Sequence, residues 1–193
     1  MTTRADRFTV VIDTNALVGA LTRNMLLSLA EAGLFRPRWS NITLNEEFER
    51  VFARRYPDGA AVGQRQRANI DRAFPEAVSI VDAKTLEAID LPDPDDRHVL
   101  AAAIQTKAAL IVTDNLKDFP ADHLLPHEIE AISLDDFLAD CIDLAGPEAI
   151  AALRAMRERY KDPEIDAEAL ILKVESLGLG QTATLLGAYK SLL

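Results

Sequence analysis

At 193 residues, 49% of them hydrophobic and 27% charged, the chain has room for one compact domain with a sizeable core and a small appendage, and it has no apolar run long enough to span a membrane. A net charge of −10 argues against a general nucleic-acid sponge, although residues 1–75 carry 11 Lys/Arg against 8 Asp/Glu while the remainder carry 10 against 23. The single cysteine, Cys141, excludes an internal disulfide and fits a reducing cytoplasm.

The opening MTTRADRFTV lacks the apolar centre of a signal peptide. FTVVID (8–13) is a β-rich apolar run closed by an aspartate, and it predicts a strand. Leu17, Leu21, Leu26 and Leu29 then space a helix over 14–34, with Gly33 as its stop. Pro37 keeps 36–40 extended. Leu44, Phe48, Val51 and Phe52 predict a helix over 41–56, broken by Pro57 and Gly59. Another helix follows over 60–74, then a short strand over 78–82. Asp93 as cap and Pro94 as first residue open a helix over 93–107. ALIVTD (109–114) reads as a buried strand, EIEAIS (128–133) as the last strand, and 133–145 as a helix capped by Ser133 with Asp136 three residues on. From Pro147 onward strand signals vanish, and Pro147, Pro163, Gly178 and Gly180 punctuate three short helices. Alternating strands and helices predict an α/β fold with a mainly parallel central sheet. The expected organisation is a domain over 1–145 and a helical C-terminal extension over 146–193, packed on that domain or on a partner.

In such sheets ligands bind beyond the carboxyl ends of the strands, which is where Asp13 and Asp114 fall. On the 93–107 helix, Leu100, Ala103, Ile104 and Lys107 share a stripe that Asp96 extends backwards, whereas Asp95 aligns with Val99 and Ala102. On the 41–56 helix Glu47 shares the face of Leu44 and Val51, and Glu46 points about a quarter-turn away. Each acid also has an ordinary structural role open to it. Asp13 can cap a helix, Asp93, Asp95 and Asp96 can complement a helix dipole, and Asp114 and Asp118 can sit in turns. Together, Asp13, Glu47, Asp96 and Asp114 would repel one another, and a divalent cation relieves that repulsion. Carboxylates with water suit Mg²⁺ or Mn²⁺. His98, His123 and His127 form no zinc pattern, and there is no EF-hand loop, no GxxxxGK[ST] and no GxSxG. One or two ions held by acids suit hydrolysis of a nucleic-acid phosphodiester. Arg36, Arg38, Arg50, Arg54, Arg55, Arg65, Arg67 and Arg72 cluster in the basic half, either as a phosphate-holding patch or as solvated helix faces.

VVIDTNALV, the EFERV helix, DPDDRHVLAAAI and LIVTDNLKDFP resemble the PIN-domain ribonucleases, most closely the VapC-type toxins of bacterial toxin–antitoxin pairs, over roughly residues 8–137. The ending MRERYKDPEIDAEALILKVESLGLGQTATLLG resembles the helical C-terminal extension of VapC50-like members. The resemblance implies a three-layer PIN-like α/β fold and a Mg²⁺- or Mn²⁺-dependent endoribonuclease that leaves 5′-phosphate and 3′-hydroxyl ends. It also implies an RNA substrate, an antitoxin partner and, as in many members, a homodimer.

Residue by residue, the resemblance implies Asp13 as the first acid, Asn15 as a polar support and Asp96 as the third acid. The second acid falls on Glu47 of EFER, or on Glu46 when counted from Thr43. The fourth acid usually lies two residues after the strand's threonine. Here Thr113 is followed by Asp114 and then Asn115, so Asp114, Asn115 and Asp118 share that role. Asp13, Glu47 and Asp96 are then expected to hold a first ion, and Asp114 or Asp118 to complete a second site or orient the attacking water. Thr113 is a candidate to position that water or a phosphate. Arg50, Arg54 and Arg97 are candidates to hold the RNA backbone, or else salt-bridge partners of nearby acids. The rival reading is a catalytically inactive PIN-like interaction module that binds a partner protein or RNA. A receiver-type phosphoacceptor needs a lysine after a late strand, where the nearest is Lys117. A haloacid-type phosphatase needs an aspartate where Asn15 stands.

Overall fold

A computed structural model describes residues 8–55 and 57–193, apart from the side chains of residues 45–47 and 55. Its strands are β1 (Thr9–Ile12), β2 (Arg36–Ser40), β3 (Val78–Ser79), β4 (Leu110–Val112) and β5 (Glu130–Ile132). Its helices are α1 (Thr14–Val18), α2 (Ala20–Glu31), α3 (Glu49–Arg55), α4 (Gly59–Ala73), α5 (Ala83–Glu87), α6 (Arg97–Thr106), α7 (Ala121–Leu124), α8 (Leu134–Leu144), α9 (Gly146–Glu158), α10 (Ala167–Ser176) and α11 (Gly180–Ala188). A π-helical turn, Thr43–Phe48, precedes α3, and 3₁₀ turns cover Pro94–Asp96, Leu116–Asp118 and Leu125–His127.

The strands make one sheet in the order β3-β2-β1-β4-β5, and every pairing is parallel. The α/β class with a parallel central sheet and C-terminal helices is therefore the observed one. Val10, Val11 and Ile12 of β1 are all fully buried, the unbroken apolar run that parallel strands carry in place of alternation. From β1 the chain moves to β2 and β3 on one side, then crosses to β4 and β5 on the other. The reversal lies between β1 and β4, and in open parallel sheets the ligand crevice opens at the carboxyl ends beside such a reversal. Register fixes what stands there. Ile12 pairs with Val112, and the Asp13 N–H donates to the Val112 carbonyl at 3.0 Å. Asp13 and Thr113 thus leave the sheet side by side.

The chain separates into two compact units, one holding residues 36–132 with the N-terminal segment up to Gly19, the other holding Ala20–Phe35 and Ser133–Leu193. In the first, α6 packs on the sheet with Ala101, Ala102 and Ala103 fully buried beside Val11 and Ile111. Three alanines in a row keep the helix backbone close to the strands at interior packing density. A Cβ on Gly59 would sit 1.8 Å from the Phe52 carbonyl oxygen, so the start of α4 against α3 requires glycine there. In the second unit, Phe35 meets Phe137 edge-on at 4.9 Å, and Asn24 of α2 donates to the Tyr160 hydroxyl at 2.9 Å. The Asp135 carboxylate at the start of α8 accepts from the Gln181 and Thr182 N–H groups at 2.9 Å each, capping α11. Among the described residues no helix is long and apolar enough to cross a membrane.

Several local expectations shift. The helix expected over 14–34 is two helices, because Gly19 is extended (φ −66, ψ 128) between α1 and α2. Gly33 does end α2, at φ 82, with the Gly33 N–H on Ala30 and the Leu34 N–H on Leu29, a Schellman-type closure. The helix expected over 41–56 starts at residues 41–42 but passes through the π-helical turn Thr43–Phe48 before α3. The one expected over 93–107 begins as a 3₁₀ turn, with Asp93 capping it as predicted by accepting from the Asp95 N–H at 2.9 Å. Lys107 leaves the α6 stripe, since it takes φ 52 at the helix end and is exposed. Ser133 caps α8 by accepting from the Asp136 N–H at 3.1 Å, also as predicted.

Candidate metal centre

Asp13 follows β1 directly and caps α1. It is 5% exposed and accepts hydrogen bonds from the Thr14 N–H at 2.6 Å, the Asn15 amide at 2.6 Å and the Thr113 hydroxyl at 2.8 Å. The Asn15 orientation follows from its partners. Its nitrogen faces a carboxylate that can only accept, and its oxygen accepts from the Asp114 N–H at 3.2 Å. Thr113 is fully buried, and its hydroxyl donates to Asp13 while accepting from the Asn15 amide at 3.0 Å and the Asn115 N–H at 3.1 Å. One proton and two lone pairs are all that a hydroxyl has. Thr113 is therefore fully committed to holding Asp13, Asn15 and Asn115.

From there the hydrogen bonds run on to a second acidic group. The Asn115 amide donates to the Asp118 carboxylate, a short contact. Asp118 in turn joins Asp93 and Asp96, and the three offer carboxylate oxygens all within 4.8 Å of one another. Asp96 and Asp118 are half-buried. An all-oxygen donor set that close, with neither thiolate nor imidazole, fits a hard divalent cation such as Mg²⁺ or Mn²⁺. Asp93 is the member that sequence reasoning left out of the acidic group, because its capping role accounted for it. The spacing DPDD was the available signal: a cap and a helix-opening residue three apart lie close once the chain turns.

The remaining expectations divide. Asp114 is exposed and joins the network through its backbone N–H on Asn15. Asp95 is exposed and stands outside the trio, yet its stripe partners Val99 and Ala102 are as buried as those of Asp96. Helix α6 is buried over a wide arc, so the stripe alone does not separate the two acids, and membership of the trio does. Glu47 and its alternative Glu46 have side chains outside the described residues. Their backbone lies in the π-helical turn, where the α-helical spacing used to choose between them does not apply. Of the arginines, Arg50 and Arg54 are exposed on α3 and Arg97 is half-buried in the first turn of α6. Arg67 is drawn off by Glu49 at 3.1 Å and Asp71 at 3.3 Å, while Arg65 and Arg72 on α4 are exposed. One further group was not foreseen: buried His98 bonds to Ser40, at the end of β2.

A family model described as the PIN domain matches residues 9–117, and one described as the VapC50 C-terminal domain matches residues 134–188. The chain is 46% identical over 76 residues to a protein of Mycobacterium tuberculosis (strain ATCC 25618 / H37Rv) named "Putative ribonuclease VapC50". That alignment takes in 39% of this chain and 45% of the relative, so the likeness spans less than half of that protein. No solved structure matches the chain.

Proposed function

Because the chain belongs to the PIN-domain family, we propose that it is a divalent-metal-dependent endoribonuclease, hydrolysing RNA phosphodiesters to 5′-phosphate and 3′-hydroxyl ends. The observation that carries the reading is the linked acidic arrangement beside the sheet reversal. Thr14, Asn15 and Thr113 all donate to Asp13, and Thr113 and Asn115 connect it to the Asp93–Asp96–Asp118 group. A bound Mg²⁺ or Mn²⁺ supplies Lewis acidity to a phosphodiester and acidifies a water molecule. Asp13, Glu47 and Asp96 are the proposed holders of a first ion. Asp118, beside Asp96 in the carboxylate trio, suits a second ion better than Asp114, which is exposed and stands outside it. Asn15, Thr113 and Asn115 orient these acids. Arg50, Arg54 and Arg97 are assigned to RNA phosphates, which the acids themselves repel.

The same proposal makes the chain the toxin of a type II toxin–antitoxin pair, acting in the cytoplasm, held in check by a protein antitoxin and able to form a homodimer. The relative's printed name, a ribonuclease, supports the activity, and the match over 134–188 supports the VapC50-like branch. Chemistry is placed in residues 1–145, and the extension over 146–193 is assigned to enlarging the partner surface or holding RNA.

The test is cleavage of single-stranded and structured RNA by the full chain with Mg²⁺, with Mn²⁺ and with EDTA, alongside Asp96→Asn. Cleavage that needs the metal and disappears in Asp96→Asn is the expected result. Equal cleavage by both proteins sinks the assignment of Asp96. Neither cleavage nor Mn²⁺ binding moves the reading to an inactive PIN-like interaction module.

A further inference from the structure

We propose that His98 is a positioning residue of the metal centre, acting through Ser40 and Thr43 on the π-helical turn that carries the second acid. The proposal rests on the nuclease reading above and adds to it a residue that touches neither RNA nor the reacting atoms.

Three polar side chains are buried together where β2 ends. His98 is 3% exposed, and Ser40 and Thr43 are wholly buried. The His98 Nδ1 lies 2.8 Å from the Ser40 Oγ. The Thr43 N–H donates to the same oxygen at 3.0 Å, and the Ser40 and Thr43 hydroxyls are 3.1 Å apart. These contacts use the one proton and two lone pairs of Ser40 completely. If Ser40 donates to Nδ1, the Thr43 hydroxyl donates to Ser40. If Nδ1–H donates to Ser40, then Ser40 donates to Thr43. An apolar trio would fill this space without the desolvation cost that polar groups carry. What the network contributes is fixed orientation, since Ser40 has no hydrogen-bonding capacity left for another arrangement.

The elements it joins give that orientation a use. Ser40 is the last residue of β2, and Thr43 is the first of the π-helical turn Thr43–Phe48, which contains Glu46 and Glu47. His98 stands two residues after Asp96 in the first turn of α6. One imidazole ring therefore couples the segment bearing the second acid to the helix that begins at the third. Asn41, between Ser40 and Thr43, accepts from the Val81 N–H at 2.9 Å, so the same segment is also pinned from the far side of β3. π-helical turns are rare, occur as single turns within helices and gather at functional sites. This one starts from Thr43, held by Ser40 three residues earlier, and Ser40 in turn bonds His98 from a distant part of the chain. A catalytic group displaced by about 1 Å loses on the order of 100-fold in rate, so a loosened turn is felt at the chemistry.

The experiment uses the full chain, with Mn²⁺ alone as the binding probe and RNA cleavage as the second readout. Wild type, His98→Leu, His98→Asn, Ser40→Ala and Asp96→Asn are compared by calorimetric Mn²⁺ binding, by kcat and KM, and by thermal melting. His98→Leu and Ser40→Ala are expected to lose about 10- to 100-fold in Mn²⁺ affinity and in kcat, with KM for RNA within about threefold of wild type. His98→Asn, whose amide reaches the position of Nδ1, is expected to recover most of both. Wild-type Mn²⁺ affinity and kcat in folded His98→Leu or Ser40→Ala overturn the positioning role. So does a lowered melting temperature with no recovery in His98→Asn, the pattern of core packing alone. Should His98→Leu not fold, Ser40→Ala and His98→Asn decide by the same readouts. Mn²⁺ binding absent from wild type, or unchanged in Asp96→Asn, overturns the nuclease reading and this proposal with it. Mn²⁺ binding lost in Asp96→Asn but kept in the His98 and Ser40 variants overturns the positioning role alone.

Discussion

The Thr113 hydroxyl donates to the Asp13 carboxylate at 2.8 Å across 100 residues of chain, joining the ends of β4 and β1. Both groups are buried, so neither partner is replaced by water at small cost. Thr113→Val keeps the branched shape and removes the hydroxyl, leaving Asp13, the Asn15 amide and the Asn115 N–H each short of a partner. Losing such a partner costs about 1–3 kcal/mol. The expected outcome is a protein destabilised by about that amount in denaturant melts, with metal-dependent RNA cleavage down by about tenfold or more. Thr113→Ser, which keeps the hydroxyl, is expected to retain most of the activity. Full activity in Thr113→Val would mean that Asp13 is oriented well enough by Thr14 and Asn15.

The acids after β4 separate by geometry. Asp118 lies with Asp93 and Asp96 inside a 4.8 Å set, and Asn115 ties it to Thr113. Asp114 is exposed and engages the network through its backbone. Asp118→Asn is therefore expected to lower cleavage by about 100-fold or more and to raise the Mn²⁺ concentration required, since it removes a charge from the donor set. Asp114→Asn is expected to cost about tenfold or less. Parallel Mn²⁺ titrations of cleavage read both. The opposite ranking would place the fourth acid at Asp114 and leave Asp118 as a turn residue.

The strand ends were legible because FTVVID and ALIVTD are apolar runs that each stop at an acid, and the sheet places those stops together. Asp13 as a helix cap, Ser133 as a cap and Gly33 as a stop follow from local chemistry, and local chemistry is what sequence carries best. The break at Gly19 was hidden because leucine spacing continues across it from Leu17 to Leu21. The π-helical winding of Thr43–Phe48 was not legible, since its first residue is held by Ser40, which in turn bonds His98, 58 positions further along the chain. His98 alone shows no ligand spacing, and its part is visible only once Ser40 stands beside it. Asp93 was passed over for a different reason. Its cap bond to Asp95 is real, and a residue with one sufficient role gives no sign of a second.

In the C-terminal helices, the Asp135 carboxylate holds the backbone at the start of α11. Asp135 accepts from the Gln181 and Thr182 N–H groups, and the Thr182 hydroxyl donates to the Asp135 carbonyl at 3.2 Å. Helix N-termini leave donors unsatisfied and favour negative charge. Asp135→Ala is expected to destabilise the chain by about 0.5–2 kcal/mol and to speed amide exchange at Gln181 and Thr182. Asp135→Asn, which keeps one acceptor oxygen, is expected to fall between. Unchanged exchange at both amides in Asp135→Ala would show that α11 starts without this cap.

Cys141 lies buried in α8, and burial, with the charge of Asp140 second, pushes its thiol up to about 12. The thiolate is the reactive species, so the folded protein at pH 8 is expected to resist iodoacetamide while the urea-unfolded chain is alkylated completely. The same shift sets a pH dependence. An unfolded thiol titrates near 8.5, so the folded state keeps its proton to higher pH than the unfolded state. Between roughly pH 8.5 and 12 the folded chain binds more protons, and stability falls as pH rises through that window. Below it, the contribution is fully present. Cys141→Ala removes the titrating group, so its melting temperature is expected to decline less between pH 9 and 11 than that of wild type. All other groups are common to both proteins and cancel in the comparison. Parallel alkaline melts would contradict the buried-thiol account, as would rapid alkylation of the folded chain at pH 8.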